Sequence, residues 1–331
     1  MTETTEQRRR PGVATVFVVL TAALALVTLS ARLGRWYWAA DLLALFHDVY
    51  LVAALALLVG LLSFRRWTWA GVAALTLLVN GGLLAPYLPV ERVRAADDRF
   101  DLRLYVHNLY YANDNVDAVL RDIEEHDPDV LFFMEYSHEM GAGLEPYLTP
   151  YPYRLIEPSR RTMGLALYSR VPFRDAESLR FPDTRIPIFR VTFEVGGEAL
   201  HFVGAHPWPP IGRWGPLHRA QMADITEVAA ATPHPLVVAG DFNASPWSFA
   251  VGRLEHRADL RDAQHGFGFR KTWYLGPVPM LPLDHVLVSD EIKVSAFRHG
   301  DRGGSDHVPL ILDLTVDRNI NATTTSSVGS R

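Results

Sequence analysis

The chain has 331 residues, 49% of them hydrophobic, no cysteine and a formal net charge of -5. Without cysteine, disulfides, thiolate metal sites and cysteine nucleophiles are excluded. The mildly acidic balance offers no basic signature for bulk nucleic-acid binding, and the length exceeds the ~100–200 residues of one ordinary domain.

Charge is unevenly spread. Residues 11–90 carry little of it, and nearly all the acids lie beyond them. After a polar start, 1–10, that ends in Arg8-Arg9-Arg10, the stretch Pro11–Ala31 is uncharged. A hydrocarbon core needs ~20 such residues. A signal peptide would have a shorter apolar run and would not be followed by two more. Leu42–Phe64 and Trp67–Val90 are those further runs, so three transmembrane helices are expected within a membrane anchor spanning 11–90. Trp36, Tyr37, Trp38, Trp67, Trp69 and Tyr87 stand at the run ends, where interfacial aromatic belts belong. Asp48, flanked by Asp41 and His47, is expected at an interface. Arginines in the N-tail and at Arg65-Arg66 slightly outweigh those of the other loops. That bias puts the N-tail inside and everything after the third span outside the cytoplasm.

Residues 91–100 read as a polar linker, 101–316 as a soluble domain, and 317–331 as a disordered tail, rich in Thr and Ser from Asn319 onward. In the domain, Leu102, Leu104 and Val106 alternate with polar residues, the period of a strand. Val116, Val119, Leu120 and Ile123 recur at helical spacing, with Asn113 or Asp114 placed to cap them. Val130–Met134, Gly164–Ser169, Ile188–Val195, Leu200–Ala205, Leu236–Ala239, Val286–Val288 and Val308–Leu314 are further strands, and Leu217–Ala230 is a helix. Such a mixture fits a layered α/β domain of two sheets covered by helices.

The strands share one habit. Apolar runs end at an acid, an amide or an imidazole at Asn108, Glu135, His206 and Asp241 with Asn243, and two more are opened by Asp284 and by Asp306-His307. Any one alone fits a turn or a cap, but their repetition points to a site. Hard oxygen donors without cysteine suit Mg²⁺ or Mn²⁺. Glu135 is the leading ligand, with Asn108 and Asp306 in support. Asp241 can orient or deprotonate a water, Asn243 and His206 can donate to phosphate oxygens, and His307 beside Asp284 can hold or move a proton. This is the equipment of metal-assisted phosphoester hydrolysis. No Gly-x-Ser-x-Gly elbow and no Walker loop is present.

The segments Tyr105–Asn108, Asp129–Glu135, Gly164–Arg170, Phe202–His206, Gly240-Asp-Phe-Asn243, Leu283–Leu287 and Gly304-Ser-Asp-His307 come in this order. In them the chain resembles the endonuclease/exonuclease/phosphatase superfamily, with its DNase I-like fold. The resemblance covers roughly Asp101–Val316. It implies a four-layer α/β sandwich and a divalent metal held by Asn108 and Glu135. It also implies Asp241 on the water, Asn243 and His206 on the phosphate, Asp284 on His307, and Asp306 at the metal or phosphate. Arg190 matches a strand arginine of many members. Met134 stands where many members carry Gln, which implies a change behind the metal ligand only. The unusual turn Pro207–Trp214, with Trp208 and Arg213, is either a substrate grip or a rigid proline-rich loop. Expected substrates are nucleic acid, phospholipid or an inositol phosphate head group. The competing expectation is a catalytically silent, membrane-anchored binding or signalling module.

Overall fold

The computed structural model describes residues 12–90 and 101–317. The polar start, the linker 91–100 and the Thr/Ser-rich tail lie outside the described residues. The chain divides between Pro86 and Tyr87 into two compact units.

Three helices are long and apolar enough to cross a membrane, Val13–Arg35, Trp38–Ser63 and Trp67–Tyr87, and all but the last residue of the third lie in the first unit. The α-helical parts are α1 (Val13–Ser30), α2 (Trp38–Asp41), α3 (His47–Ser63) and α4 (Trp67–Leu84). Large apolar side chains stand outward, such as Leu26 at 66% and Leu78 at 72% exposure. That surface is costly in water and suits lipid. The buried polar residues of this unit are more telling than Asp48, which is half-buried. Asn80 on α4 accepts from His47 Nδ1 through its Oδ1 at 2.7 Å. Its Nδ2 donates to the Thr76 carbonyl at 2.8 Å and reaches Thr28 Oγ1 at 3.4 Å. One amide thus joins α1, α3 and α4 in an apolar interior, where an unpaired polar group is expensive.

The second unit is built from β1 (Leu102–Asn108), α5 (Val116–His126), β2 (Val130–Met134), α6 (His138–Leu144), β3 (Tyr153–Glu157), β4 (Leu165–Ser169), β5 (Phe173–Leu179), β6 (Ile188–Val195), β7 (Glu198–Ala205), α7 (Gly215–Ala231), β8 (Leu236–Asp241), α8 (Phe249–Ala258), β9 (Arg261–Asp262), β10 (Trp273–Leu275), β11 (Val278–Leu281), β12 (Asp284–Val288), β13 (Ile292–His299) and β14 (Leu310–Val316). Two six-stranded sheets form, in the orders β13-β14-β1-β2-β4-β3 and β5-β6-β7-β8-β12-β9, with β10 and β11 as a separate hairpin.

Alternation explains the layering. Leu104, Val106, Phe132 and Leu167 of one sheet meet Phe189, Val191, Phe202 and Val237 of the other in a shared apolar layer. The opposite faces are covered in turn. Tyr105, Leu131 and Phe133 pack with Val119, Ile123 and Met140 of α5 and α6. Val203 and Val238 pack with Ile225, Ala229 and Leu254 of α7 and α8. The order helix, sheet, sheet, helix is the four-layer arrangement expected.

Local details differ from the expectation in three places. The cap of α5 is Asn115, whose side chain accepts from Ala118 N at 3.3 Å. Asn113 instead donates to the Gly303 carbonyl and accepts from Asn115 N, closing a loop. Tyr87 is not an interfacial belt residue: it is buried in the second unit, and its hydroxyl donates to Asp262 Oδ2 at 2.9 Å. The edge strands β3 and β5 form from largely polar sequences that carry no apolar run.

Candidate active site

Parallel pairing of β1 with β2 sets Asn108 opposite Met134, so Glu135 leaves the sheet one residue later. In the other sheet, antiparallel pairing sets Asp284 directly opposite Asp241. Parallel β7 beside β8 carries His206 to the same edge. Two buried contacts then join the sheets. Asn108 Nδ2 donates to Asp241 Oδ2 at 3.0 Å, and Asp241 N–H donates to Met134 Sδ at 2.8 Å.

Close approach has a sequence cause. A Cβ on Gly240 would strike the Ala205 carbonyl, and one on Gly164 would strike the Tyr136 carbonyl. Strands β7 and β8 can approach at this point only with glycine. Two site residues adopt left-handed backbone: Glu135 at φ 53° and Asn243 at φ 50°. Asparagine tolerates this, but for glutamate it costs about 1–2 kcal/mol. The surroundings hold the glutamate turn in place: Tyr136 N donates to the Gly164 carbonyl and Ser159 N to the Tyr136 carbonyl.

The polar groups form one network. Glu135 Oε2 accepts from Tyr111 N at 3.0 Å, and Oε1 lies 3.3 Å from Asn108 Nδ2. Asp241 Oδ1 accepts from Asn243 N at 2.8 Å. Asn243 Nδ2 donates to the Pro207 carbonyl at 3.0 Å and lies 3.3 Å from His206 Nε2. His206 Nδ1 lies 3.1 Å from the Thr162 carbonyl. A carbonyl only accepts, so Nδ1 carries the proton and Nε2 faces Asp241 Oδ2, at 3.5 Å. His307 is arranged alike: Nδ1 donates to Asp284 Oδ2 at 2.7 Å, and Nε2 stands 3.6 Å from Asp241 Oδ2. Ser305 Oγ fixes that turn, donating to the Asn108 carbonyl and accepting from His307 N.

Electrostatics follow from burial and neighbours. Burial alone would lower the pKa of His307, but Asp284 and Asp241 outweigh it and raise it to about 10. Burial likewise opposes protonation of His206, and Asp241 and Glu135 reverse the sign, leaving it raised. Burial pushes the Asp241 carboxyl up, yet His307 and His206 bring it well below the usual carboxylate range. Glu135 is raised, because its desolvation exceeds the help from His206.

A cation fits this cluster. The carboxylates of Glu135, Asp241, Asp284 and Asp306 outnumber the imidazoles of His206 and His307, so negative charge remains even with both rings protonated. Asp284 Oδ1 is buried without a hydrogen-bond partner. The Asn108–Glu135 pair offers hard oxygen donors in a carboxylate-rich pocket, the set that suits Mg²⁺ or Mn²⁺. The ligand atoms of Asp241, Asp284 and His307 also lie within 4.8 Å of one another. Their own hydrogen bonding already accounts for that triad as a proton-holding chain.

The remaining sequence candidates fall into three groups. Asp306 is tied to the neighbouring hairpin, accepting from Trp273 Nε1 at 2.9 Å. Among the described residues no hydrogen bond joins it to Asn108 or Glu135. Arg190 is the clear correction: it lies on the outer face of β6, ion-paired with Glu177. There it lines a separate cavity of about 490 Å³ with Asp175, Thr192 and His201. Trp208 and Arg213 belong to a self-contained stack in the turn after His206. Trp208 and Trp214 lie 5.2 Å apart at 12°, and Arg213 covers the Trp214 ring at 4.7 Å.

Met134 is more than a neutral replacement. Its sulfur accepts the Asp241 N–H at full burial. Met134→Leu should leave that N–H unpaired and cost about 1–2 kcal/mol, while Met134→Gln, which offers an oxygen, should stay close to wild type. Denaturant unfolding of both variants checks this; equal stability of Met134→Leu and wild type would remove the sulfur contact from the account.

With this geometry in hand, comparison with known proteins is direct. The Endonuclease/Exonuclease/phosphatase family pattern matches residues 59–307, more than half of the chain. The chain belongs to the endonuclease/exonuclease/phosphatase family. It therefore stands among phosphoester hydrolases of that type. Solved structures agree on the DNase I-like α/β fold. D. rerio TDP2, crystallised with a single-strand DNA product, matches with TM-score 0.56 and 17% identity over 65% of this chain and 99% of that one. The human nocturnin catalytic domain with a bound sulfate anion gives 0.54 and 18%, over 65% and 94%. A family protein from Bacteroides thetaiotaomicron gives 0.51 and 15%, over 66% and 96%. At such identities the likeness speaks for the fold alone. No curated protein matches the sequence.

Proposed function

We propose that this protein is a membrane-anchored, Mg²⁺- or Mn²⁺-dependent phosphodiesterase or phosphatase, with its catalytic domain, 101–316, outside the cytoplasm. One observation carries the enzymatic reading. Asn108, Glu135, His206, Asp241, Asn243, Asp284 and His307, taken from both sheets, meet in one largely buried hydrogen-bonded cluster. A catalytically silent binding module has no need to retain all seven in mutual contact.

Residue roles follow from the contacts. Asn108 and Glu135 would hold the cation, which when bound supplies neutralisation of phosphate charge. Asp241 is too weakly basic to take a proton readily by itself. It acts as the acceptor that orients the attacking water, already aimed by Asn108 and Asn243. His206 and Asn243 donate to the phosphate oxygens as charge develops there. Asp284 fixes the His307 ring so that Nε2–H faces the reacting phosphate. The buried positions of these groups limit water and strengthen each interaction.

The anchor rests on the three apolar helices and the orientation on the arginine bias. A reporter fused after Val316 should read as extracytoplasmic; a cytoplasmic signal would reverse the topology. The substrate carries a phosphoester, and DNA in the TDP2 neighbour makes nucleic acid one candidate beside phospholipid and inositol phosphate head groups. The test is a screen of the purified full chain in detergent against these three classes, with Mg²⁺, Mn²⁺ or EDTA. Metal-dependent phosphate-ester cleavage in at least one class is expected. No cleavage in any class would favour the silent module.

A further inference from the structure

Between β3 and β4 the chain runs through Ser159, Arg160, Arg161 and Thr162. This loop is pinned at both ends to the cluster just described. Ser159 N donates to the carbonyl of Tyr136, the residue after Glu135. The Thr162 carbonyl faces His206 Nδ1 at 3.1 Å. Inside the loop, Arg161 N donates to Ser159 Oγ at 3.1 Å. Arg160 and Arg161 thus sit on the rim of the site, between its Glu135 wall and its His206 wall.

Their charges are unspent. Arginines on the surrounding strands are each matched to an acid: Arg154 with Glu145, Arg170 with Asp127, Arg174 with Glu194, Arg180 with Glu157 and Arg190 with Glu177. Arg160 and Arg161 are exposed, and among the described residues neither guanidinium has a hydrogen-bond or ion-pair partner. Beside them, Thr162 Oγ1 is buried with no partner, although hydroxyls in that position normally find one. Two successive exposed arginines and an unused hydroxyl, on a loop held at both ends, are suited to a dianionic tetrahedral group. Pinning lowers the ordering cost of binding it.

We infer that Arg160, Arg161 and the Thr162 hydroxyl form a subsite for a second phosphate of the substrate, next to the phosphoester that is cleaved. This rests on the phosphoesterase reading above and narrows it: preferred substrates carry at least two phosphates close together. Both a nucleotide chain and a phosphorylated head group offer that chemistry.

The experiment compares matched substrates on the full chain in detergent with Mg²⁺. One pair is the p-nitrophenyl ester of thymidine 5′-phosphate with and without a 3′-phosphate. The other is glycerophosphoinositol with and without a ring phosphate. Wild type should favour the doubly phosphorylated member of one pair, and the pair identifies the source. In Arg160→Ala/Arg161→Ala that preference, as a ratio of kcat/KM values, should fall about ten- to a hundredfold, mainly through KM. Arg160→Lys/Arg161→Lys should recover only part of it, because ammonium groups lack the bidentate fork. Turnover of both members with no preference in wild type, or a preference untouched in the alanine variant, overturns the subsite and leaves the phosphoesterase reading intact. Failure of wild type on all four compounds overturns both.

Discussion

Asp241→Asn should lower kcat for phosphoester hydrolysis by about a thousandfold, with KM changed little. The reason lies in the contacts. Asp241 receives Asn108 Nδ2, Asn243 N, and the Nε2 faces of His206 and His307. All these partners are donors, so the carboxylate stays ionised and its oxygens stay in place. An amide keeps one acceptor but replaces the other with an NH₂ that opposes Asn108 and both imidazoles. Water then loses its acceptor, while the phosphate-binding donors on His206 and Asn243 remain. Loss of the carboxylate should also make both histidines less basic, since Asp241 helps raise each of them. NMR titration of the imidazoles in the variant checks that independently of activity. Turnover within tenfold of wild type would remove Asp241 from the reacting centre.

Glu135→Gln should be nearly as damaging to activity, with the opposite effect on the fold. Its carboxylate is buried and its pKa raised by that burial, so the site holds charge there at a cost. Glutamine preserves the shape and the contact to Tyr111 N while removing the charge. Activity should fall at least about a hundredfold and the Mg²⁺ requirement should rise. Stability in metal-free buffer should stay level or increase, as is usual when a strained functional charge is neutralised. Thermal unfolding with EDTA and kinetics across a Mg²⁺ series test both halves. A variant that is destabilised yet still active would show that Glu135 serves the fold and not the metal.

How much of this was readable in advance varied with the kind of signal. Strand ends were readable because a buried strand is a short apolar run and its stop is abrupt: Val130–Met134 before Glu135, Leu236–Ala239 before Gly240-Asp-Phe-Asn243. Strand order in space then placed Asp284 opposite Asp241, which no local pattern announces. Arg190 shows the limit of alternation. Period two says that Arg190 and Val191 point apart, but which face meets the other sheet depends on pairing. Polar edge strands such as β5, Phe-Arg-Asp-Ala-Glu-Ser-Leu, carry no apolar run at all and pass as loop. The cap of α5 moved from Asn113 or Asp114 to Asn115 because Asn113 is taken by a contact to Gly303, far along the chain. The sulfur of Met134 and the unpaired Arg160-Arg161 could not be found from sequence, since each depends on partners, present or missing, that only the fold brings near.

The most direct measurement is release of p-nitrophenol from bis(p-nitrophenyl) phosphate by the purified full chain, in Mg²⁺ and in EDTA, beside Asp241→Asn prepared in the same way. Hydrolysis by wild type in Mg²⁺, suppressed by EDTA and by the single substitution, is the predicted result. Equal hydrolysis in EDTA, or equal hydrolysis by Asp241→Asn, would contradict a metal-assisted phosphoesterase centre built on these strand ends.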